Sequence, residues 1–125
     1  MHVNLIYCAT PSRMADKTKT VMDYVTSARH APFHPLVAFE YTRFEGGVVG
    51  REQTLKFCCR AIEICDEFWL FGISAGTMVE LAHVLLFNEH NPGTKKIVRP
   101  FYREFDPLWM ESRAQYEKML ATIGG

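Results

Sequence analysis

One short segment of the sequence brings together small residues, hydroxyl groups and a carboxylate in an order that could support chemistry. The apolar run at residues 68–71 is followed by Gly-Ile-Ser-Ala-Gly and then by Thr77 and Glu80. A turn of small residues lets backbone N–H groups approach a ligand, and the first turn of a helix favours an anion. The hydroxyls of Ser74 and Thr77 add donors beside Gly76. We therefore expect a phosphate or sugar hydroxyls to bind at this turn.

Glu80 lies one turn into the helix that this segment predicts. A carboxylate there could attack a sugar carbon, or activate water, near an oxocarbenium-like centre. The same spacing also fits a capping box in which Thr77 is the N-cap and Glu80 bonds back to its N–H. Spacing alone leaves both interpretations open.

Catalysis by Glu80 needs a second group, and the candidates are Asp66 and Tyr7. Asp66 comes just before the apolar run at residues 68–71, and Tyr7 lies near the carboxyl end of the first apolar run. Each also has a structural interpretation. Asp66 could be a polar residue at a strand edge, and Tyr7 could be a core aromatic residue whose hydroxyl reaches a partner.

Ser12, Arg13 and Arg51 follow predicted strand ends or their loops. Ligands of open α/β sheets bind outside the carboxyl ends of the strands, so these residues are candidates for substrate binding. Either guanidinium could hold a phosphate through two hydrogen bonds. The alternative for each arginine is a solvated surface side chain.

The elements that must position these residues alternate between strands and helices along the chain. The order predicts a single α/β domain over residues 1–125, a three-layer doubly wound (flavodoxin/Rossmann-like) fold with a parallel sheet. Ser12 or Asp16 could cap the first helix. The glycine-rich loop at residues 42–50 is a candidate lid. Strands are predicted at residues 3–9, 36–41, 68–71 and 96–100, and helices at 15–29, 51–65, 74–89 and 107–123.

Composition narrows the possible partners and the compartment. The 14 basic residues balance the 14 acidic ones, which argues against nucleic acid or an anionic membrane as a partner. No apolar run approaches the length of a membrane span, and no signal-peptide pattern opens the sequence. The four cysteines lie in apolar segments without metal-site spacing, so we expect buried free thiols, no metal and a cytoplasmic protein.

Taken together, three pieces of the sequence resemble the nucleoside 2-deoxyribosyltransferase-like superfamily, which includes deoxynucleoside 5'-monophosphate N-glycosidases. The pieces are Leu-Ile-Tyr at residues 5–7, Ile-Cys-Asp-Glu-Phe-Trp at 64–69 and Ser-Ala-Gly-Thr-Met-Val-Glu-Leu at 74–81. The resemblance spans roughly residues 3 to 100. It implies a flavodoxin-like parallel sheet, a homodimer or larger homo-oligomer, and no metal or organic cofactor.

The resemblance also implies roles for individual residues on a small nucleoside or nucleotide substrate. Glu80 matches the nucleophilic glutamate that attacks C1' and releases the base. Asp66 resembles the aspartate that protonates or orients the base, and Tyr7 the tyrosine that orients the nucleophile. Ser74 and Gly76 fall in the turn that approaches the sugar or its 5'-phosphate.

Two departures shape the expected activity. Ser74 stands where the transferases typically have an aspartate, and together with Ser12 and Arg13 it looks more like the monophosphate hydrolases. Those hydrolases have a glycine-rich first loop, which residues 9–13 lack. Three functions stay open: N-glycosidic cleavage or transfer, nucleotide or nucleotide-sugar binding without turnover, and phosphoribohydrolase activity. The phosphoribohydrolases have a similar turn, but its paired glycines are missing at residues 72–77.

Overall fold

A computed structural model describes residues 3–91, 95–100, 106, 108 and 113–121 of the chain. Strands and helices alternate along it, as the sequence predicts. In chain order the elements are β1 (Leu5–Ala9), a 3-10 helix (Ser12–Lys17), α1 (Thr18–Ser27), β2 (Ala31–Phe33), α2 (Pro35–Ala38), α3 (Arg51–Ile64), β3 (Glu67–Leu70), α4 (Ala75–His90), β4 (Lys96–Val98) and α5 (Glu117–Ala121).

The four strands form one parallel sheet in the order β2-β1-β3-β4. Tyr7 of β1 lies opposite Phe33 of β2 on one side and Phe68 of β3 on the other. The predicted α/β class with a parallel sheet is therefore confirmed. Since the chain order and the sheet order reverse between β1 and β3, the carboxyl ends of these two strands form the crevice in which such sheets bind ligands.

Helices cover both faces of the sheet, and the alternation of side chains along each strand divides the core in two. Tyr7, Ala9, Phe68 and Leu70 pack toward α3 and α4, in a cluster that also contains Cys58, Ile62 and Leu81. Ile6, Cys8, Trp69 and Phe71 pack toward Val21 and Val25 of α1. Burial on both faces explains why these strands read as continuous apolar runs in the sequence.

The second strand lies earlier in the chain than predicted. The prediction of a strand at residues 36–41 is wrong, because β2 covers Ala31–Phe33 and α2 follows at once. His34 Nδ1 accepts a hydrogen bond from the Leu36 N–H at 3.3 Å, and Pro35 occupies the first helical turn. Both features favour helix. Pro32 is tolerated within β2 because β2 is an edge strand.

The first helix is broken where the sequence predicts a continuous one. A 3-10 helix kinked at Met14 precedes α1, and Lys17 occupies the N-cap of α1 without a side-chain cap hydrogen bond. The prediction that Ser12 or Asp16 caps this helix is therefore wrong. The consequence for function is that Ser12 stays close to the end of β1, at the edge of the sheet where the crevice opens.

The other sequence predictions concern the loop at residues 42–50, the terminal helix and the absence of a membrane span. Turns occupy the predicted lid loop, where the Phe44 ring contacts Phe39 at 5.1 Å and Phe57 at 6.2 Å between centroids. Its mobility stays a prediction. A terminal helix is predicted at residues 107–123, and α5 lies within this range. Residues 107, 109–112, 122 and 123 of the predicted helix lie outside the described residues. No helix in the described part of the chain is long and apolar enough to cross a bilayer.

Candidate active site

A cleft of about 270 Å³ opens at the carboxyl edge of the sheet, beside the reversal point between β1 and β3. Five segments form its walls: the loop after β1, the α2 region, the loop at residues 42–50, the first turns of α3, and the first turns of α4. We call this space the cleft. Its lining residues are Thr10, Pro11, Ser12, Pro35, Leu36, Phe39, Glu45, Arg51, Thr54, Leu55, Cys58, Ser74, Ala75, Gly76, Thr77 and Glu80.

Glu80 projects from α4 into the cleft and is only 5% exposed. Its carboxylate accepts a hydrogen bond from the Tyr7 hydroxyl, and the Cys58 thiol donates to it as well. Burial raises the pKa of Glu80 to about 7, although both hydrogen bonds act in the opposite direction. Near neutral pH, the carboxyl group is therefore poised between its acidic form and a nucleophilic carboxylate.

Tyr7 is held rigidly against this carboxylate. Its ring stacks between Phe33 and Phe68, with centroid distances of 5.9 and 5.7 Å. Burial, and then the charge of Glu80, raise the pKa of the Tyr7 hydroxyl well above its usual value. The hydroxyl therefore keeps its proton and serves as a fixed donor to Glu80.

The turn between β3 and α4 is fixed by reciprocal capping. Ser74 Oγ accepts from the Thr77 N–H at 3.1 Å, and Thr77 Oγ1 accepts from the Ser74 N–H at 2.8 Å. Ser74 is therefore the N-cap of α4, and the alternative in which Thr77 and Glu80 form the capping box is wrong. The Thr77 hydroxyl also donates to the Gly72 carbonyl at 2.9 Å, so it is engaged in holding the turn.

Gly72 brings this turn close to the loop after β1. A Cβ atom at Gly72 would lie 2.6 Å from Pro11 Cδ and 2.7 Å from Met14 Sδ, closer than real contacts allow. Only glycine permits this approach. The approach places Ser12 on the same cleft as Ser74 and Gly76, as predicted.

Arg51 also reaches the cleft, at the first turn of α4. Its Nη1 donates to Glu45 Oε1 at 2.8 Å, while its Nη2 lies 3.8 Å from the position that a Cβ atom of Gly76 would occupy. The guanidinium therefore stands beside the free N–H groups at the start of α4, where an anion is favoured. The predicted substrate-binding residues Ser12, Arg51, Ser74, Gly76 and Thr77 thus share one cleft.

Arg13 lies elsewhere, among contacts that stabilise the fold. Its Nη2 donates to the Ile73 carbonyl at 2.9 Å and to Asp106 Oδ2 at 2.5 Å. Asp106 is fully buried and also accepts from the Ile73 N–H at 3.2 Å. A buried carboxylate needs a cationic partner, and Arg13 supplies it. The structure therefore directs this guanidinium to Asp106 and not to the cleft, contrary to the prediction that it holds a phosphate.

Asp66 lies at the opposite edge of the sheet from Glu80. It precedes β3, is exposed, and its Oδ2 accepts from the Leu5 N–H at 2.8 Å. Strands rise about 3.3 Å per residue, so the length of β3 separates Asp66 from the cleft by roughly 10 Å or more. The structure does not bring Asp66 together with Tyr7 and Glu80.

Two cleft residues of chemical interest were missed by the sequence reasoning. Cys58 was interpreted only as a buried thiol, although it lies against both Tyr7 and Glu80, and burial raises its pKa to about 12. Its helical spacing from Arg51 would have placed both residues on one side of α3. Glu45 carried no local signal, because its position depends on how the loop folds back onto α3. No cluster of three or more His, Cys, Asp or Glu in the described ranges could hold a metal ion.

Comparison with known proteins does not indicate a function for this chain, so the chemistry of the cleft is the basis for inferring one. No family model matches the chain, and no curated protein and no solved structure shows significant similarity to it.

Proposed function

We propose that this protein cleaves or transfers the N-glycosidic bond of a (deoxy)nucleoside or nucleoside 5'-monophosphate, with Glu80 as the nucleophile. The observation that carries the proposal is a buried carboxylate that faces a cleft, held by a rigid tyrosine hydroxyl. Burial raises the pKa of this carboxyl to about 7, so a substantial fraction of Glu80 is ionised at neutral pH, and the desolvated carboxylate is a stronger nucleophile than one in water.

The reaction divides into two displacements at C1' of the sugar. In the first, a Glu80 carboxylate oxygen bonds to C1', the C1'–N bond breaks, and its electron pair leaves with the base, which takes a proton from solvent. In the second, water or an acceptor base attacks C1', the bond between C1' and the Glu80 oxygen breaks, and the attacking group loses its proton to solvent. Tyr7 keeps the carboxylate oriented throughout, because its hydroxyl donates to Glu80 and its ring is stacked in the core.

The two sides of the cleft suit the two ends of such a substrate. Ser12, Ser74, Gly76 and the Arg51 guanidinium form a polar side with free N–H groups at the start of α4, which suits a 5'-phosphate. The apolar part of the lining suits the flat faces of a base. It consists of Pro35, Leu36, Phe39 and Leu55.

A nucleotide-binding module without turnover is the second candidate. One observation favours it: Asp66, the predicted partner for the departing base, lies at the other edge of the sheet. Such a module would use the start of α4 as its anion site, and Glu80 would contact the sugar without attacking it.

The deciding experiment follows the release of free base by chromatography. The wild-type protein is incubated with a panel of nucleosides and 5'-monophosphates, with and without an acceptor base. Glu80→Ala is expected to abolish release, and Glu89→Gln, an exposed glutamate of the same helix, is the matched control that should retain it. Base exchange would identify a transferase. No release from any substrate, with ligand-induced thermal shifts retained in Glu80→Ala, would support the binding module.

We also propose a cytoplasmic protein that acts as a homodimer or larger homo-oligomer. Support for the compartment comes from the thiols of Cys8, Cys58, Cys59 and Cys65, all of which are free. Light scattering coupled to size-exclusion chromatography measures the oligomeric state directly, and a monomeric mass at micromolar concentration would contradict the proposed assembly.

A further inference from the structure

We propose that Glu45 contacts the base of the substrate and selects bases that carry an amino group. The inference rests on the proposed function and deepens it by naming a substrate class. Its starting observation is that Glu45 and Glu80 are the carboxylates among the described residues that line the cleft. Glu80 is placed at C1', which leaves Glu45 as the acidic group available to the rest of the ligand.

Glu45 lines the cleft between polar and apolar residues: its carboxylate pairs with Arg51, and its chain neighbour Phe44 packs on Phe39. It follows Phe44, whose ring packs on Phe39 at 5.1 Å, and Phe39 itself lines the cleft. Backbone hydrogen bonds fix the loop around it: the Gly50 N–H donates to the Phe44 carbonyl at 2.8 Å, and the Gly46 N–H donates to the Tyr41 carbonyl at 2.8 Å. In the proposed binding mode the base lies against Phe39, and its edge faces the Glu45 carboxylate, which lines the same cleft.

The carboxylate has one oxygen engaged and one available. Glu45 Oε1 accepts from Arg51 at 2.8 Å, whereas Oε2 has no hydrogen-bond partner among the described residues. The Glu45 side chain is 31% exposed, so the loss of a partner there is only partly compensated by water. The neighbouring Arg51 guanidinium keeps the carboxylate in place through its Nη1, while its Nη2 lies by Gly76 at the start of α4.

An ionised carboxylate can only accept hydrogen bonds. It therefore pairs with the N–H of an exocyclic amino group and opposes a carbonyl oxygen at the same position. A site built to bond one substrate group discriminates strongly against an analogue that leaves the group unpaired. Because this site is partly open to water, we expect a preference of about 10- to 100-fold for amino over oxo bases.

The test compares two pairs of substrates that differ in the exocyclic amino or oxo group and in the hydrogen on the adjacent ring nitrogen. Release of base from deoxycytidine and deoxyuridine 5'-monophosphates, and from deoxyadenosine and deoxyinosine 5'-monophosphates, gives the amino-to-oxo ratio of kcat/KM. Glu45→Gln should bring this ratio down by about tenfold, because the amide can donate as well as accept. Asp66→Asn is the matched control and should leave the ratio unchanged.

The ratio separates a base contact from an indirect effect. If Glu45 acted only by holding Arg51 or the loop, Glu45→Gln would weaken all four substrates equally, and an unchanged ratio would overturn the proposal. Titration calorimetry gives the corresponding amino-to-oxo ratio of dissociation constants for the four monophosphates. It is measured with Glu80→Gln, with and without Glu45→Gln. A binding ratio that depends on Glu45, without any base release by the wild-type protein, would refute the glycosidic function and leave the role of Glu45 standing.

Discussion

An acidic residue lies near each end of strand β3, and the surroundings of the two carboxylates are opposite in character. Glu80, in the helix after the carboxyl end, is buried beneath a cleft, and burial raises its pKa to about 7. Asp66, before the amino end, is exposed, and its carboxylate is bonded to the Leu5 N–H at 2.8 Å. In the sequence, both are candidate catalytic groups.

The difference shows what makes a carboxylate reactive in this fold. At the carboxyl edge, loops and helix starts diverge around a space that a ligand can enter, and the surrounding apolar residues remove water from Glu80. At the amino edge the chain closes directly onto the next strand, so the Asp66 carboxylate serves as a backbone acceptor. The reactivity of a carboxylate in this fold therefore depends on whether it lies at the carboxyl or the amino edge of the sheet, and not on the residue type alone.

The largest expected effect comes from making the same chemical change at both edges. Glu80→Gln should lower the rate of base release at least about a thousandfold, because the amide cannot attack C1'. Asp66→Asn should change the rate less than about twofold, since it lies far from the cleft. Steady-state kinetics on one substrate measures both. Equal losses in the two variants would contradict the contrast between the edges.

The next effect concerns stability and its dependence on pH. Glu80 has a pKa of about 7 in the folded protein against a usual value of 4.5, so the folded state binds the extra proton between these values. Stability therefore falls as the pH rises from about 4.5 to about 7, and the ionised carboxyl destabilises the fold by up to about 3 kcal/mol.

Glu80→Gln removes this penalty because an amide does not ionise. The variant should be more stable than the wild type by up to about 3 kcal/mol at pH 8, and similar to it at pH 4. Urea unfolding at the two pH values measures the difference. A gain in stability that is the same at both pH values would show that ionisation of Glu80 is not its cause.

Tyr7→Phe is expected to have a smaller effect that has its own signature. Loss of the hydroxyl removes a donor that lowers the pKa of Glu80, so the rising limb of the pH–rate profile should move to higher pH. The rate at neutral pH should fall about 10- to 100-fold. Tyr41→Phe, at a residue 67% exposed, is the matched control and should leave the profile unchanged.

The smallest effect belongs to the amino edge. Asp66→Ala removes the acceptor of the Leu5 N–H and should reduce the free energy of unfolding by about 1 kcal/mol or less, because water can replace the exposed carboxylate. Thermal unfolding measures this loss, and base release should be unaffected. A loss well above this size would mean that Asp66 has a structural role beyond this hydrogen bond.

Local sequence signals were sufficient for much of the fold and for part of the candidate site. Apolar runs located β1 and β3, and helical spacing located α3 and α4 to within one or two residues. The small residues at 72–76 predicted the turn that lines the cleft. These features depend on burial and backbone preference within a few neighbouring residues, which is information that a single sequence contains.

Tertiary structure decided the features that depend on distant partners. The position of β2 follows from pairing with β1, and Arg13 is drawn to Asp106, more than ninety positions away. Cys58 meets Glu80 only because α3 packs on α4, and Asp66 is separated from Glu80 because parallel strands place their two ends at opposite edges of the sheet. By itself, the sequence determined which residues could react. Packing of the chain determined which of them face the same cleft, because long-range contacts are set by the free energy of the whole fold.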